Sequence, residues 1–469
     1  MHCLLALCCL IGPLAADELF QASALSPDGK TLVLATSTAL QWREVPSGKL
    51  LRSVERATVQ ALALSPDGLT LAAGERIIPL IDFANGKATG KLFGHTRAVR
   101  AIAFAPTGDT LISGDEGGMV RVWDLKTNKA LRAFTVHPEG LSALAVAPGG
   151  NPLAVATSDG VQLYDGRTFL RTIPLRTRSN RAVRLLAFSP DGRTLATVQA
   201  DGRIVLWEVA TGLPRLERPT SASRVTALAF APSGQTLIFS NDKINLWSLP
   251  ANHSQSWGEH PGRDVRAIYP LANGDSALLV ERNTLSHLTR KPADPAFKPM
   301  PAEEAWEALD DRDAEHAYRG LWSLVNQPAG AALAVAKMKD VEAEMRRSRQ
   351  KIQRLIDDLD DDEFATRQRA SEELAKLGSE VYDDLQKALQ SNPPLEQHRR
   401  LEKLLRGMKR PLNPVPAGLN RRLRAVEALE YIASAEAWKV IEKLASVDEE
   451  RLAETAQAAL ARRKARGSP

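Results

Sequence analysis

Past residue 9 this chain contains no cysteine: its three thiols, Cys3, Cys8 and Cys9, all fall in an apolar run at 3–12. If that run is removed, disulfides and thiolate metal sites are excluded from the remainder. Long hydrophobic stretches are lacking too. The first run is too short to span a bilayer, and no later one approaches the ~18 apolar residues a membrane helix requires. Aromatic residues make up 5% of the chain and nowhere interleave with basic clusters, which argues against nucleic acid as a partner. The net charge of +5 over 469 residues is too small to imply a polyanion by itself. Also missing are the phosphate-binding GxxxxGK loop, HExxH, GxSxG, and a GxGxxG between strand and helix. The eight histidines, at 2, 95, 137, 253, 260, 287, 316 and 398, show no metal-ligand spacing. No catalytic, cofactor-binding or metal site is therefore read from the sequence, and the chain is read as a non-enzyme.

The apolar run is followed by Pro-Leu-Ala-Ala at 13–16. An apolar core ending in small residues reads as a secretory signal over 1–16, cut near Ala16. The expectation is an exported chain, periplasmic or extracellular; without a working signal it is cytoplasmic. The match is imperfect, because His2 is the only basic residue ahead of the core and Leu14 sits where a small residue is favoured. The alternatives are a mis-called start codon or a buried apolar strand.

What the chain has in abundance is repetition. Six stretches write an apolar strand, a Pro-x-Gly turn and a second apolar strand: ASALSPDGKTLVLAT from Ala22, ALALSPDGLTLAAG from Ala61, AIAFAPTGDTLISG from Ala101, ALAVAPGGNPLAVAT from Ala143, LLAFSPDGRTLATV from Leu185 and ALAFAPSGQTLIFS from Ala227. A weaker seventh, AIYPLANGDSALLV, starts at Ala267, and the prolines at 27, 66, 106, 148, 190, 232 and 270 set a period of 38 to 42 residues. Alternation such as Ala101-Ile102-Ala103-Phe104 suits a strand with one face on a core. Pro-Asp-Gly reverses the chain, because proline fixes φ and glycine accepts a positive one. A third strand ends in an aromatic, as in Val120-Arg121-Val122-Trp123-Asp124, and a fourth follows. Four short strands per forty residues make the blade of a β-propeller.

At this point the sequence resembles the WD-repeat family, over seven units spanning about 18–298, with Gly94-His95 and Trp123-Asp124 of blade three the fullest signature. The resemblance implies a seven-bladed propeller at 17–299 whose blades are stiffened by hydrogen-bonded Asp, His, Ser or Thr, and Trp. Blade three offers His95, Ser113 and Trp123, with Gly117 where the Asp is expected. Blade four offers His137 and Asp159, with Tyr164 in place of Trp. Blade five offers Asp201 and Trp207, with Ser179 at the histidine position, and blade six offers Asp242 and Trp247. No blade is complete on this reading, which predicts less stiffness than the family norm. The ring is expected to close through 292–299 or through Asp17–Phe20.

From about Pro301 the apolar period changes from 2 to 3.6, and a helical domain is expected over 300–469. Short helices are predicted at Ala302–Ala308 and Ala314–Val325, then a long charged helix over Ala331–Leu359 with room for a break. RQRASEELAKLGSEVYDDLQKAL from Arg367 aligns with RLRAVEALEYIASAEAWKVIEKL from Arg422. Each copy, at 361–391 and 417–446, is a pair of amphipathic helices that looks like a HEAT repeat, with Leu395–Met408 between them and Leu452–Arg463 as a cap. The fold class is thus multidomain β + α, a propeller followed by HEAT-like helical repeats, a layout that looks like large bacterial WD-repeat proteins.

DDLDDDEF at 357–364 has the density of an ion site, but a calcium loop begun at Asp358 would place Glu363 and Arg369 where Gly and Glu are needed. Asp360 or Asp361 is expected to cap the following helix instead. Arg171, Arg176, Arg178, Arg181 and Arg184 connect blades four and five and are candidates for contact with an acidic surface, with a solvated loop as the alternative. The leading functional expectation is a protein-interaction scaffold of unidentified protein partners. The alternatives are a ligand-binding or hydrolytic site at the channel mouth and a structural part of a cell-envelope assembly.

Overall fold

The computed structural model describes residues 7–11, 20–56, 59–175, 182–220, 225–261, 265–271, 276–289, 297–311, 313–408, 418–447 and 449–465. The chain divides into two compact units, 1–297 and 298–469.

The first unit is a seven-bladed β-propeller of four-stranded antiparallel sheets. Blade three shows how the sequence builds one: Val99–Phe104 innermost, then Thr110–Asp115, Met119–Asp124 and Lys129–Thr135 outermost. In blades one, two, three and five the first turn is held by its own side chains. In blade one Asp28 accepts from the Ser26 hydroxyl at 2.5 Å and from the Lys30 N–H at 3.0 Å, while Gly29 takes φ +70°. These hydrogen bonds hold the Asp28 carboxyl below its ordinary range. Between blades, alternate side chains of the two inner strands and of the third strand interlock. Val33, Leu40, Trp42, Leu71 and Ile81 pack blade one on blade two, and Ile78, Val99, Leu111 and Trp123 pack two on three.

Closure follows neither expected route. The outer strand of blade seven is Leu7–Ile11, paired antiparallel with Leu285–Thr289. The apolar run read as a secretory core is thus the strand of the alternative reading. Residues 290–296 and 17–19 lie outside the described residues. Blade seven meets blade one through Phe20, Leu32, Leu34, Leu278, Val280 and Leu285, and through a 2.8 Å hydrogen bond between Ser23 and Tyr269. Burial pushes the Tyr269 phenol up to about 12.

The second unit is helical. Its described helices are α1 Ala302–Ala308, α2 Ala314–Val325, α3 Pro328–Lys339, α4 Val341–Asp357, α5 Phe364–Leu377, α6 Tyr382–Gln390, α7 Leu395–Gly407, α8 Leu419–Ile432, α9 Ala435–Leu444 and α10 Glu450–Ala465. The long charged helix is broken at Asp340, between α3 and α4. The two aligned segments are helix pairs: α5–α6 turns at Gly378 (φ +61°) and α8–α9 at Ala433 (φ +54°). They pack against different neighbours. Leu374 and Leu385 of the first pair pack with Ile356 of α4, with Leu359 in the 3-10 turn after it and with Leu401 of α7. The second pair packs on α2, α3 and α10, with Ser434 capping α9 through the Ala437 N–H at 3.1 Å. Among the described residues no helix is long and apolar enough to cross a membrane.

The caps expected at Asp360 and Asp361 are not where the structure puts them. Asp360 ends a single turn of 3-10 helix, Glu363 is the N-cap residue of α5, and no side chain caps that helix. Asp361 accepts instead from the Glu363 N–H at 2.8 Å, one step ahead of the helix. Arg367 reaches back to the carbonyls of Asp361 and Asp362 at 2.6 and 2.9 Å. The reversal after Leu359 uses the aspartates as turn formers, which leaves none positioned for the α5 N–H groups.

Candidate functional site

Blade three contains a continuous hydrogen-bonded chain. Trp123 Nε1 donates to Ser113 Oγ at 2.7 Å, Ser113 lies 2.7 Å from His95 Nε2, and His95 Nδ1 lies 2.7 Å from Asp115. The other Asp115 oxygen accepts from the N–H groups of Gly117 and Met119 at 2.9 and 3.1 Å. All four side chains are buried. Neutral His95 protonated on Nδ1 satisfies every member, since Trp donates to Ser, Ser to His, and His to Asp. Burial, opposed by Asp115, lowers the His95 pKa and favours that neutral form.

Blade three is therefore complete, and the expectation that Gly117 breaks it is corrected. The carboxylate comes from Asp115, two residues after Ser113 on the same strand and hence on the same face. The other blades are partial. In blade four His137 pairs with Asp159 at 3.0 Å on the surface, while the Tyr164 hydroxyl donates to Gln162 at 2.6 Å. In blade five Trp207 donates to Thr197 at 3.0 Å and Asp201 accepts from the Arg203 N–H in its turn at 3.0 Å; Ser179 lies outside the described residues. In blade six Trp247 donates to Asn252 at 3.0 Å, and Asp242 sits in the turn between the second and third strands. Asp124 caps its own turn through Lys126 and Thr127 at 2.8 and 3.0 Å.

The two described arginines of the five-arginine connection lie on opposite faces. Arg171 opens the outer strand of blade four, opposite Tyr164, at the propeller face carrying the Pro-x-Gly turns. Arg184 lies at the start of the inner strand of blade five, on the opposite face. Arg176, Arg178 and Arg181 lie outside the described residues.

Arg184 belongs to a different set, formed by the residue at the entry to each inner strand. In five blades this residue donates its N–H to the second strand: Gln21 to Ala35, Gln60 to Gly74, Ser142 to Ala156, Thr226 to Ser240 and Arg266 to Val280, at 2.7–3.1 Å. In blades three and five the register shifts around it, leaving Arg100 and Arg184 as bulged residues. Because the first strands of neighbouring blades contact one another, these seven positions ring one mouth of the central channel. Arginine stands on every second blade from three to seven. Arg100 is paired with Glu116; the side chains of Arg184 and Arg266 form no hydrogen bond or ion pair with a described residue. Sequence reasoning missed this ring, whose signal is the column one residue ahead of each aligned repeat.

Among the described residues no three His, Cys, Asp or Glu side chains gather as a metal site needs.

Comparison with known proteins fits this architecture. The WD domain, G-beta repeat family matches residues 86–124 and 170–208. THO complex subunit 6 of Homo sapiens is 34% identical over 91 residues, 19% of this chain and 27% of that protein. The Danio rerio homolog is 27% identical over 97 residues, 21% of this chain and 30% of its own, and the Rattus norvegicus homolog is 33% identical over 91 residues. The match thus spans under a third of each relative. These relatives overturn the expectation of export, since they are named as a subunit of the THO complex and not as exported proteins. WD40 repeats at two places in a ring of seven four-stranded blades support a WD-repeat propeller for the N-terminal unit.

Proposed function

We propose that this chain is a non-catalytic scaffold for protein partners, working as one subunit of a multi-protein assembly. The observation that carries this reading is the composition of the seven inner strands, where a channel site would be assembled. They read ASAL, LAL, VRAIAF, ALAV, VRLLAF, ALAF and AIYP. Alanine and larger aliphatic residues dominate, and two of the few polar side chains, Ser23 and Tyr269, are bonded to each other. The histidine, serine and aspartate of blade three are committed to joining strands, which is a stiffening role. Partial likeness to a THO complex subunit supports subunit behaviour. The helix pairs α5–α6 and α8–α9 are proposed as HEAT-like repeats that offer a second binding surface. The test is cross-linked purification of the full chain from its own cells. Co-elution with a partner in fixed stoichiometry, well above the 51.0 kDa of one chain, is expected; a solitary chain under the same cross-linking would refute the proposal.

A further inference from the structure

We infer that the arginine-bearing channel mouth binds an acidic segment of a protein partner, rich in Asp and Glu and laid across the mouth. The inference rests on the scaffold reading and specifies where and what it binds. None of the seven ring positions is acidic: Arg100, Arg184 and Arg266 alternate with glutamine, serine and threonine. Carboxylates do occur in the turns of this face, but they are engaged. Glu75 pairs with Arg56 at 2.9 Å, Asp159 with His137 at 3.0 Å, and Glu281 accepts from Ser286 at 3.1 Å. Among the carboxylates whose side chains are described, Glu55 and Glu139, on an outer strand and the loop that leaves one, are the exceptions. Arg76, Arg97 and Arg282, in loops and turns of the same face, are exposed, and their guanidiniums form no hydrogen bond or ion pair with a described residue. Among the described residues the guanidiniums of Arg184, Arg266, Arg76, Arg97 and Arg282 are thus left over after the internal pairs are made, and they attract negative charge.

The geometry selects the occupant. Cations on every second blade stand apart around a ring, so a compact anion meets one of them, while an extended segment meets two or three. Bidentate guanidinium–carboxylate pairing favours Asp and Glu side chains. A single-stranded nucleic acid would need stacking platforms, and no ring position is aromatic.

The experiment uses fluorescence anisotropy on the full chain with a labelled Glu/Asp-rich peptide, its Gln/Asn counterpart, and an oligothymidylate of similar length. Wild type should bind the acidic peptide, weaken as salt is raised, and ignore the neutral one. R184Q/R266Q should weaken binding about tenfold, from the few-fold worth of each exposed contact, while R167Q on the opposite face changes nothing. Glu116→Gln should strengthen binding about twofold by releasing Arg100, a gain that misfolding cannot imitate. Failure of wild type to prefer the acidic peptide over the neutral one, equal binding by R184Q/R266Q, or tighter binding of oligothymidylate would overturn the inference. Fixed-stoichiometry co-elution of the native chain would survive that outcome, which separates the two proposals.

Discussion

Replacing Ser113 with alanine removes the hinge of the blade-three chain and leaves two buried groups without partners. One is the Trp123 N–H, 2.7 Å from the serine oxygen, and the other is His95 Nε2, also at 2.7 Å. The side chains are sealed from water, with Trp123 1%, Ser113 0% and His95 5% exposed. Each orphaned buried group costs about 1–3 kcal/mol, so S113A should destabilise the propeller by about 2–6 kcal/mol. Blade five supplies the internal reference. Trp207 bonds to Thr197 at 3.0 Å with no histidine described beyond it, so T197V orphans one donor and should cost about 1–3 kcal/mol. Urea unfolding by circular dichroism measures the totals, and hydrogen exchange by mass spectrometry localises the loss to 99–135. If S113A stays within about 0.5 kcal/mol of wild type with unchanged exchange there, the chain contributes nothing and the reasoning fails.

The same chain sets a pH dependence. His95 has a lowered folded pKa, so its stabilisation is whole above the ordinary histidine value of about 6.5 and is lost as pH falls below it toward the folded value; H95Q should flatten the fall in urea midpoint between neutral and acid pH. Gly118 takes φ +75°, and a Cβ there would lie 1.8 Å from the His137 carbonyl oxygen, so G118A should cost at least ~3 kcal/mol in the same assay. Ala433 ends α8 at φ +54°, and A433G should raise stability by about 0.5–1 kcal/mol through relief of that strain, read as a higher melting temperature of the helical unit. Glu430, buried, accepts from Arg462 at 3.0 and 2.8 Å; E430Q should lower the same melting temperature by the equivalent of about 1–3 kcal/mol.

The propeller was legible because each blade restates its own physics: alternation for strands, Pro-x-Gly for the first turn, and an aromatic at the end of the third strand. Helix ends such as Ala302–Ala308 and Ala314–Val325 were legible for similar local reasons. What escaped depended on distance or on the wrong frame. Pairing of Leu7–Ile11 with Leu285–Thr289 joins opposite ends of the unit, and no local pattern reveals a partner that remote. Asp115 escaped because family spacing pointed to Gly117, although plain alternation from Ser113 places it correctly. Asp361 escaped because a run of aspartates offers several cap positions, and the preceding 3-10 turn, set by packing of Leu359 in the core, decides among them. The arginine ring escaped because repeats were aligned from their apolar strands, and Arg100, Arg184 and Arg266 stand one residue earlier.

The central claim is that this chain holds partners at the channel mouth of a non-catalytic propeller. Arginine-selective dicarbonyl labelling, compared by mass spectrometry between the free chain and the native assembly, tests it most directly. Arg184 and Arg266 should be shielded in the assembly, while Arg167, exposed on the opposite face, keeps its reactivity. Shielding of Arg167 with Arg184 and Arg266 as reactive as in the free chain would contradict the account.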